Sequence, residues 1–133
     1  MAEINLVKVI ITNEMIKTGH EMTSRLEESG LEVVASLWLY DDEAHRYYLN
    51  IASDFYDQQG PLEFYRIIQE EILDITDKSI DLSDIRVIGN GSHLTVALLS
   101  HLGSGHDIPI RSCQYDGIYI DDAYVIKLGL PAK

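Results

Sequence analysis

The sequence predicts an α+β fold, with a mainly antiparallel sheet built from two hairpins and with helices packed on that sheet. Two pairs of strand-like segments flank short polar turns, and segments with the apolar spacing of helices precede and separate them. Hairpins separated by helices indicate an α+β sandwich, although a short parallel pairing across a helix crossover remains open. At 133 residues the chain has the usual size of one domain, so we expect a single domain over residues 1–133.

The first predicted element is a helix from Asn13 to Ser29. Thr12 or Asn13 can cap its start, and Gly30 can adopt the left-handed conformation that ends a helix in a Schellman motif. Its apolar stripe repeats at intervals of three and four residues: Met15, Gly19, Met22 and Leu26. The upstream segment 4–11 fits a strand and a helix equally well.

Two strands follow, over 32–40 and 46–53, and the polar loop between them is short enough for an antiparallel hairpin. Both sides of the first strand are apolar, which predicts a central strand covered on both faces. Alternation places Val33, Ala35, Leu37 and Leu39 on one face, and Val34, Trp38 and Tyr40 on the other.

A second helix is predicted from Gly60-Pro61 to Ile75, because proline is well tolerated at the first helical position. Its apolar stripe comprises Leu62, Tyr65, Ile68, Ile72 and Ile75, widened by Phe64 and Ile67. A polar connector over 81–84 leads into a short strand over 85–88. Ser92 can then cap a third helix that runs to Leu102.

The C-terminal part predicts a second hairpin, with strands over 108–115 and 118–128 around the turn Asp116-Gly117. The preceding segment 103–107 has turn composition throughout and is expected to form a mobile loop. Two adjacent acids, Asp121 and Asp122, lie inside the last strand. They favour a bulge or a sheet edge over a central position.

Charge excludes several classes of partner. The chain carries 22 Asp and Glu against 10 Lys and Arg, a formal net charge of −12. Such a field repels phosphate backbones and anionic lipid and favours basic proteins, so we expect no direct nucleic acid binding and no membrane association. A single cysteine, Cys113, and the lack of an apolar leader after Met1 predict a reducing, cytoplasmic location.

Candidate chemistry is sparse. The turn Gly89-Asn90-Gly91-Ser92 lies between a predicted strand and a helix, where free amides bind anions, which makes Gly89, Gly91 and Ser92 weak anion-binding candidates. However, position 94 is Leu where a dinucleotide-binding motif needs glycine. His93, His101, His106 and Cys113 match no compact zinc spacing. We therefore expect no metal, no cofactor and no catalytic residue.

Tyrosine usage favours an interface. The chain has eight Tyr against two Phe, and tyrosine is enriched where proteins meet. The candidates crowd the C-terminal hairpin and its acidic pair: Tyr115, Tyr119, Asp121, Asp122 and Tyr124. Half-buried tyrosines are also common in sheets, so this pattern alone leaves both interpretations open.

One resemblance covers most of the chain after Thr12. Leu37-Trp38-Leu39-Tyr40-Asp41, Ile51-Ala52-Ser53, the segment 57–61 and Tyr65-Arg66 resemble a pattern in small bacterial α+β proteins of uncharacterised function. The similarity continues to Asp122-Ala123-Tyr124. The resemblance implies a bacterial source and transfers no activity, cofactor or catalytic residue.

These observations together predict an acidic, non-enzymatic interaction subunit or neutralising partner in a bacterial multi-protein system, docking on a basic protein surface. The sequence is also compatible with a homo-oligomer. The alternative is a small enzyme or ligand-binding domain that uses the 89–92 turn and the region of His93, His101 and His106. A pocket that joins one of these histidines to acids would favour the alternative.

Overall fold

The computed structural model describes residues 10–129 and confirms the α+β class. Its elements are α1 (Asn13–Glu28), β1 (Val33–Asp41), β2 (Arg46–Ser53), α2 (Asp54–Gln59), α3 (Pro61–Ile72), a 3₁₀ turn (Leu82–Asp84), β3 (Ile85–Ile88), α4 (His93–Leu102), β4 (Gly105–Tyr115) and β5 (Ile118–Leu128). Most of the ambiguous segment 4–11 lies outside the described residues, and residues 10–12 form no regular element.

The five strands form one mixed sheet in the order β3-β2-β1-β5-β4. Three neighbouring pairs are antiparallel, including both predicted hairpins, and β2 pairs with β3 in parallel through the α2–α3 crossover. β1 lies at the centre of this order, as its apolar residues on both faces predict.

Both ends of α1 follow the predicted chemistry. The Thr12 hydroxyl accepts a hydrogen bond from the Met15 amide at 3.1 Å. At the other end Gly30 has a φ of +104°, and the Leu31 amide donates to the Leu26 carbonyl at 3.1 Å. This is the bond pattern of a Schellman motif, so glycine stops the helix where the sequence indicates.

Apolar layers cover both faces of the sheet. On the first face, α1 and α3 pack against the strands around Met22, Trp38, Phe64 and Ile126. On the second face, α4 packs against β4 and β5 around a smaller core: Leu37, Leu98, Ile110, Ile120 and Val125. The first face therefore carries the larger apolar core.

Two face assignments from the sequence are wrong. Val33 joins the first-face core with Trp38, because a register irregularity between Val33 and Ala35 turns the strand over. Leu62 is 74% exposed, since it lies two residues from the buried Phe64 and therefore on the opposite side of α3.

Two boundaries also differ from the predictions, and one helix is additional. α3 ends at Ile72 instead of Ile75, and i to i+3 bonds tighten the following turn so that Ile75 is still fully buried. The helix α2 is not predicted at all. The expected mobile loop 103–107 is wrong over its second half, because β4 begins at Gly105.

The expectation of a sheet edge at Asp121-Asp122 is wrong as well. β5 lies between β1 and β4, so the edges of the sheet are β3 and β4. The pairing of β1 with β5 ends where Leu39 lies opposite Ala123. The two acids lie just beyond this point, where β5 is paired with β4 on its other side. This position explains how an interior strand accommodates two adjacent carboxylates.

Within residues 10–129, no helix has the length and apolar character that crossing a bilayer requires.

Candidate functional site

The C-terminal hairpin places only two of its five interface candidates in a common surface groove. Tyr119 is 61% exposed, and Asp121 is half-buried beside it. Both line a cavity of about 460 Å³ together with residues from the end of β1, from the first hairpin loop and from β3: Leu39, Tyr40, Asp41, Asp42 and Arg86. We call these seven residues the acidic groove.

The groove carries more negative than positive charge. Three carboxylates, those of Asp41, Asp42 and Asp121, face one guanidinium, that of Arg86. Arg86 is already engaged, because it lies 2.8 Å from the Asp41 carboxylate and 3.6 Å above the Tyr48 ring. A hydrogen bond from the Ala44 amide, followed by one from Arg86, holds the pKa of Asp41 below its usual range. The other two carboxylates of the groove, those of Asp42 and Asp121, take no part in the ion pair between Arg86 and Asp41.

Of the other three candidates, Asp122 is buried, and Tyr115 and Tyr124 are half-buried. Asp122 is only 5% exposed and accepts a hydrogen bond from the Tyr47 hydroxyl. Burial, together with this carboxylate, raises the pKa of Tyr47. Tyr115 packs beside the second-face core with its ring 5.2 Å from that of His101. Tyr124 packs against the first-face core. None of these three side chains lines the groove.

A second constellation joins α1 to the start of β4. The Asp107 carboxylate lies 2.7 Å from Nε2 of His20 through one oxygen and 2.9 Å from Nδ1 of His106 through the other. The Tyr124 hydroxyl donates to the same carboxylate at 2.9 Å. The hydrogen bond with His20 is the main cause that lowers the pKa of Asp107 to about 2. We call these four residues the histidine–aspartate cluster.

A cavity of about 450 Å³ opens beside this cluster, between α1 and the Gly105 end of the C-terminal hairpin. His20 and His106 line it, together with Ser24 and the ion pair between Lys127 and Glu27. Because Asp107 is ionised at neutral pH, each imidazole is oriented by donating one N–H to it. The sequence pattern missed His20, because its partner Asp107 is 87 residues away.

The predicted anion-binding turn is occupied from within. The Asn90 amide donates to the Asp57 carboxylate at 2.9 Å, and a Cβ on Gly89 would lie 2.4 Å from the other oxygen of Asp57. Gly89 is thus explained by the close approach of a carboxylate from α2. Ser92 caps α4 by accepting from the Thr95 amide at 3.2 Å, while Gly91 faces open space. A phosphate at this turn would meet the negative charge of Asp57.

His101 and Cys113 lie outside the histidine–aspartate cluster. His101 lies 3.0 Å from Asp116, and the Cys113 thiol donates to the Arg111 carbonyl at 3.3 Å. Only His106 of the three predicted histidines joins the histidine–aspartate cluster. Across residues 10–129, no three His, Cys, Asp or Glu side chains are grouped so that they could hold a metal ion.

No protein-family model, curated protein or solved structure matches the chain. Two groups of side chains bear on function. The acidic groove presents charge and an exposed aromatic ring on the surface. The histidine–aspartate cluster presents oriented imidazoles beside a cavity.

Proposed function

We propose that this protein is an acidic interaction subunit or neutralising partner that docks on a basic protein surface, within a cytoplasmic bacterial multi-protein system. The observation that supports it is the acidic groove. Tyr119 and Asp121 come from one hairpin and Asp41 and Asp42 from the other, and the fold brings them to one cavity. Exposed tyrosine and unpaired carboxylates are the residue types that a basic partner recognises.

The two kinds of groups have different roles in binding. Asp42 and Asp121 attract lysine or arginine over a distance and set the orientation of the partner, which mainly affects the association rate. Tyr119 offers a large rigid ring with few rotatable bonds, and burial of such a ring gives most of the affinity at a typical hot spot. Because Arg86 pairs with Asp41, an incoming cation meets little competition from it at the other two carboxylates.

The test is co-purification at native expression level, followed by a direct affinity measurement on the purified pair by calorimetry. Tyr119→Ala is expected to weaken the complex by about 1 to 3 kcal/mol, a five- to 150-fold rise in Kd. Asp121→Lys should weaken it further, and higher salt should weaken the wild-type complex. The control is Leu62→Ala, which removes a more exposed apolar side chain from α3 without touching the groove.

Two outcomes would contradict the proposal. One is that no basic protein co-purifies in stoichiometric amount. The other is that a partner binds both groove variants and the Leu62→Ala control with the same Kd. If Tyr119→Ala lowers the melting temperature and leaves the Kd unchanged, Tyr119 contributes to the stability of the fold and not to binding.

A second candidate function, a small-molecule site, is favoured by the cavity beside the histidine–aspartate cluster. Two oriented imidazoles on one ionised carboxylate are suited to hydrogen bonding or proton exchange with a polar ligand. Ligand-observed NMR with a collection of small polar fragments tests it. Fragments that bind the wild type and fail to bind His20→Ala would support a site here, whereas no binding fragment would argue against one.

A further inference from the structure

The helix α4 belongs to the longest uncharged stretch of the chain. Residues 87–106 contain no Asp, Glu, Lys or Arg over 20 positions, in a chain with 32 such residues among 133. The next longest uncharged stretch, 33–40, has eight residues and forms the central strand β1. Burial explains why the central strand carries no charge. Burial does not explain why a helix with a solvent-facing side carries none.

The outer side of α4 is exposed and partly apolar. Val96 is 50% exposed, and Leu94, Leu99 and Leu102 are only half-buried. α4 spans ten residues, about 15 Å, and it is the only described helix packed on the second-face core. The first face, by contrast, has both α1 and α3. A helix that is apolar on most of its circumference is normally covered on its outer side as well.

We infer that this surface of α4, defined by His93, Val96, Leu99 and Ser100, is a self-association face that packs against the same helix of a second copy. Two copies that each carry a formal charge of −12 repel one another wherever their carboxylates meet. Approach is least opposed where the surface carries no formal charge. A basic protein is attracted to the acidic groove and not to this uncharged surface. The partner that fits the α4 surface is therefore another uncharged surface, and the same surface of a second copy has this property.

The geometry and size of the contact set its strength. A face that meets its own copy forms an isologous contact around a two-fold axis, which closes at the dimer. One short helix provides less than the roughly 800 Å² per partner of a standard interface. The dimer is therefore weak. The two acidic copies repel each other at long range, and salt screens this repulsion. The dimer should therefore become stronger as the salt concentration rises.

Sedimentation velocity on the full chain, from 1 to 200 µM and at low and high salt, tests the inference. We expect monomer–dimer exchange that shifts toward dimer as salt rises. Val96→Glu should raise the dimer dissociation constant at least tenfold, and Ser100→Glu should act in the same direction. Leu62→Glu is the control, because it adds the same charge at a more exposed apolar position on α3.

A monomer at every concentration and salt, or a dimer that survives both α4 variants with their melting temperatures intact, would overturn the inference. The result is separable from the docking proposal. Binding to a basic partner weakens with salt and depends on Tyr119, whereas self-association strengthens with salt and depends on Val96.

Discussion

Asp107 shows how one side chain can hold distant parts of this chain together. Its backbone lies in the left-handed region with a φ of +57°, a conformation that Asp and Asn tolerate better than other side chains with a Cβ. From there its carboxylate reaches His20 on α1, His106 on its own strand and Tyr124 on β5. Turn composition in the sequence reflects this unusual backbone, although the segment belongs to a strand.

We predict that Asp107→Asn lowers stability in a pH-dependent manner. The pKa of Asp107 is lowered to about 2 in the folded protein, from a reference value of 3.8. The ionised carboxylate therefore stabilises the fold above about pH 4, and this contribution is lost as pH falls through 2. The gap in unfolding free energy between wild type and variant should be full at pH 6 and should close between pH 4 and 2.

Urea unfolding at several pH values measures this gap. Asp116→Asn is a matched control, since Asp116 also has a positive φ, of 50°, and also bonds a histidine, His101 at 3.0 Å. Asp116 joins the β4–β5 turn to one histidine on α4, whereas Asp107 has three partners. The loss of unfolding free energy should therefore be smaller for Asp116→Asn than for Asp107→Asn. Equal losses in the two variants, or a gap that does not change with pH, would disprove the role assigned to Asp107.

At the scale of elements, the packing of α1 on the sheet depends on one small residue. Gly19 lies inside α1, where a Cβ would come within 2.8 Å of Ile126 Cδ1 and 3.0 Å of the Trp38 indole nitrogen. That nitrogen donates to the Met15 carbonyl at 2.7 Å and thereby fixes the helix on β1. Gly19 is therefore kept for close approach, despite the poor helix propensity of glycine.

We predict that Gly19→Ala destabilises the protein, although alanine is the better helix former by about 1 kcal/mol. Overpacking in a filled core costs roughly 1 to 3 kcal/mol, which exceeds that gain. Chemical denaturation should show a net loss for Gly19→Ala. Gly91→Ala is the control, because nothing lies within 4 Å of its Cβ position and its φ is not positive. A Gly19→Ala protein at least as stable as wild type would refute the packing argument.

Local patterns predict the elements that have local causes. Capping by Thr12 and Ser92, the Gly30 stop and the Asp116-Gly117 turn are encoded within a few residues, and all four appear in the structure. The helix α2 is too short, at six residues, to show an apolar stripe. The edge of the sheet depends on which strands pair at long range, and the charge of Asp121-Asp122 cannot reveal that.

The same limit applies to the candidate sites. Tyr119 and Asp121 are recognisable in the sequence as surface candidates, because they alternate with apolar neighbours in a strand. Their association with Asp41 and Asp42 depends on the β1–β5 pairing, which no local motif shows. The acceptor for the Asn90 amide is Asp57, 33 residues away, so the glycine-rich turn resembles an anion site until α2 is placed.

At the scale of the whole molecule, charge is unevenly distributed. Three carboxylates line the acidic groove, while the 20-residue stretch through α4 carries no formal charge. The two proposed contacts should therefore respond to salt in opposite directions. Screening should weaken the proposed attraction of a basic partner to the groove, and it should relieve repulsion in the proposed pair of acidic copies.

The final prediction is that the isolated protein does not bind duplex DNA. The net charge of −12 opposes a phosphate backbone, and DNA affinity comes largely from clustered lysine and arginine. The arginines show the opposite arrangement, because all five lie within 4 Å of a carboxylate: Arg25, Arg46, Arg66, Arg86 and Arg111. A mobility-shift titration near physiological salt should show no complex at micromolar protein. Salt-dependent micromolar binding would mean that a basic surface exists which these pairings do not reveal, and Arg111→Ala would be the first variant to test, because its side chain is 76% exposed.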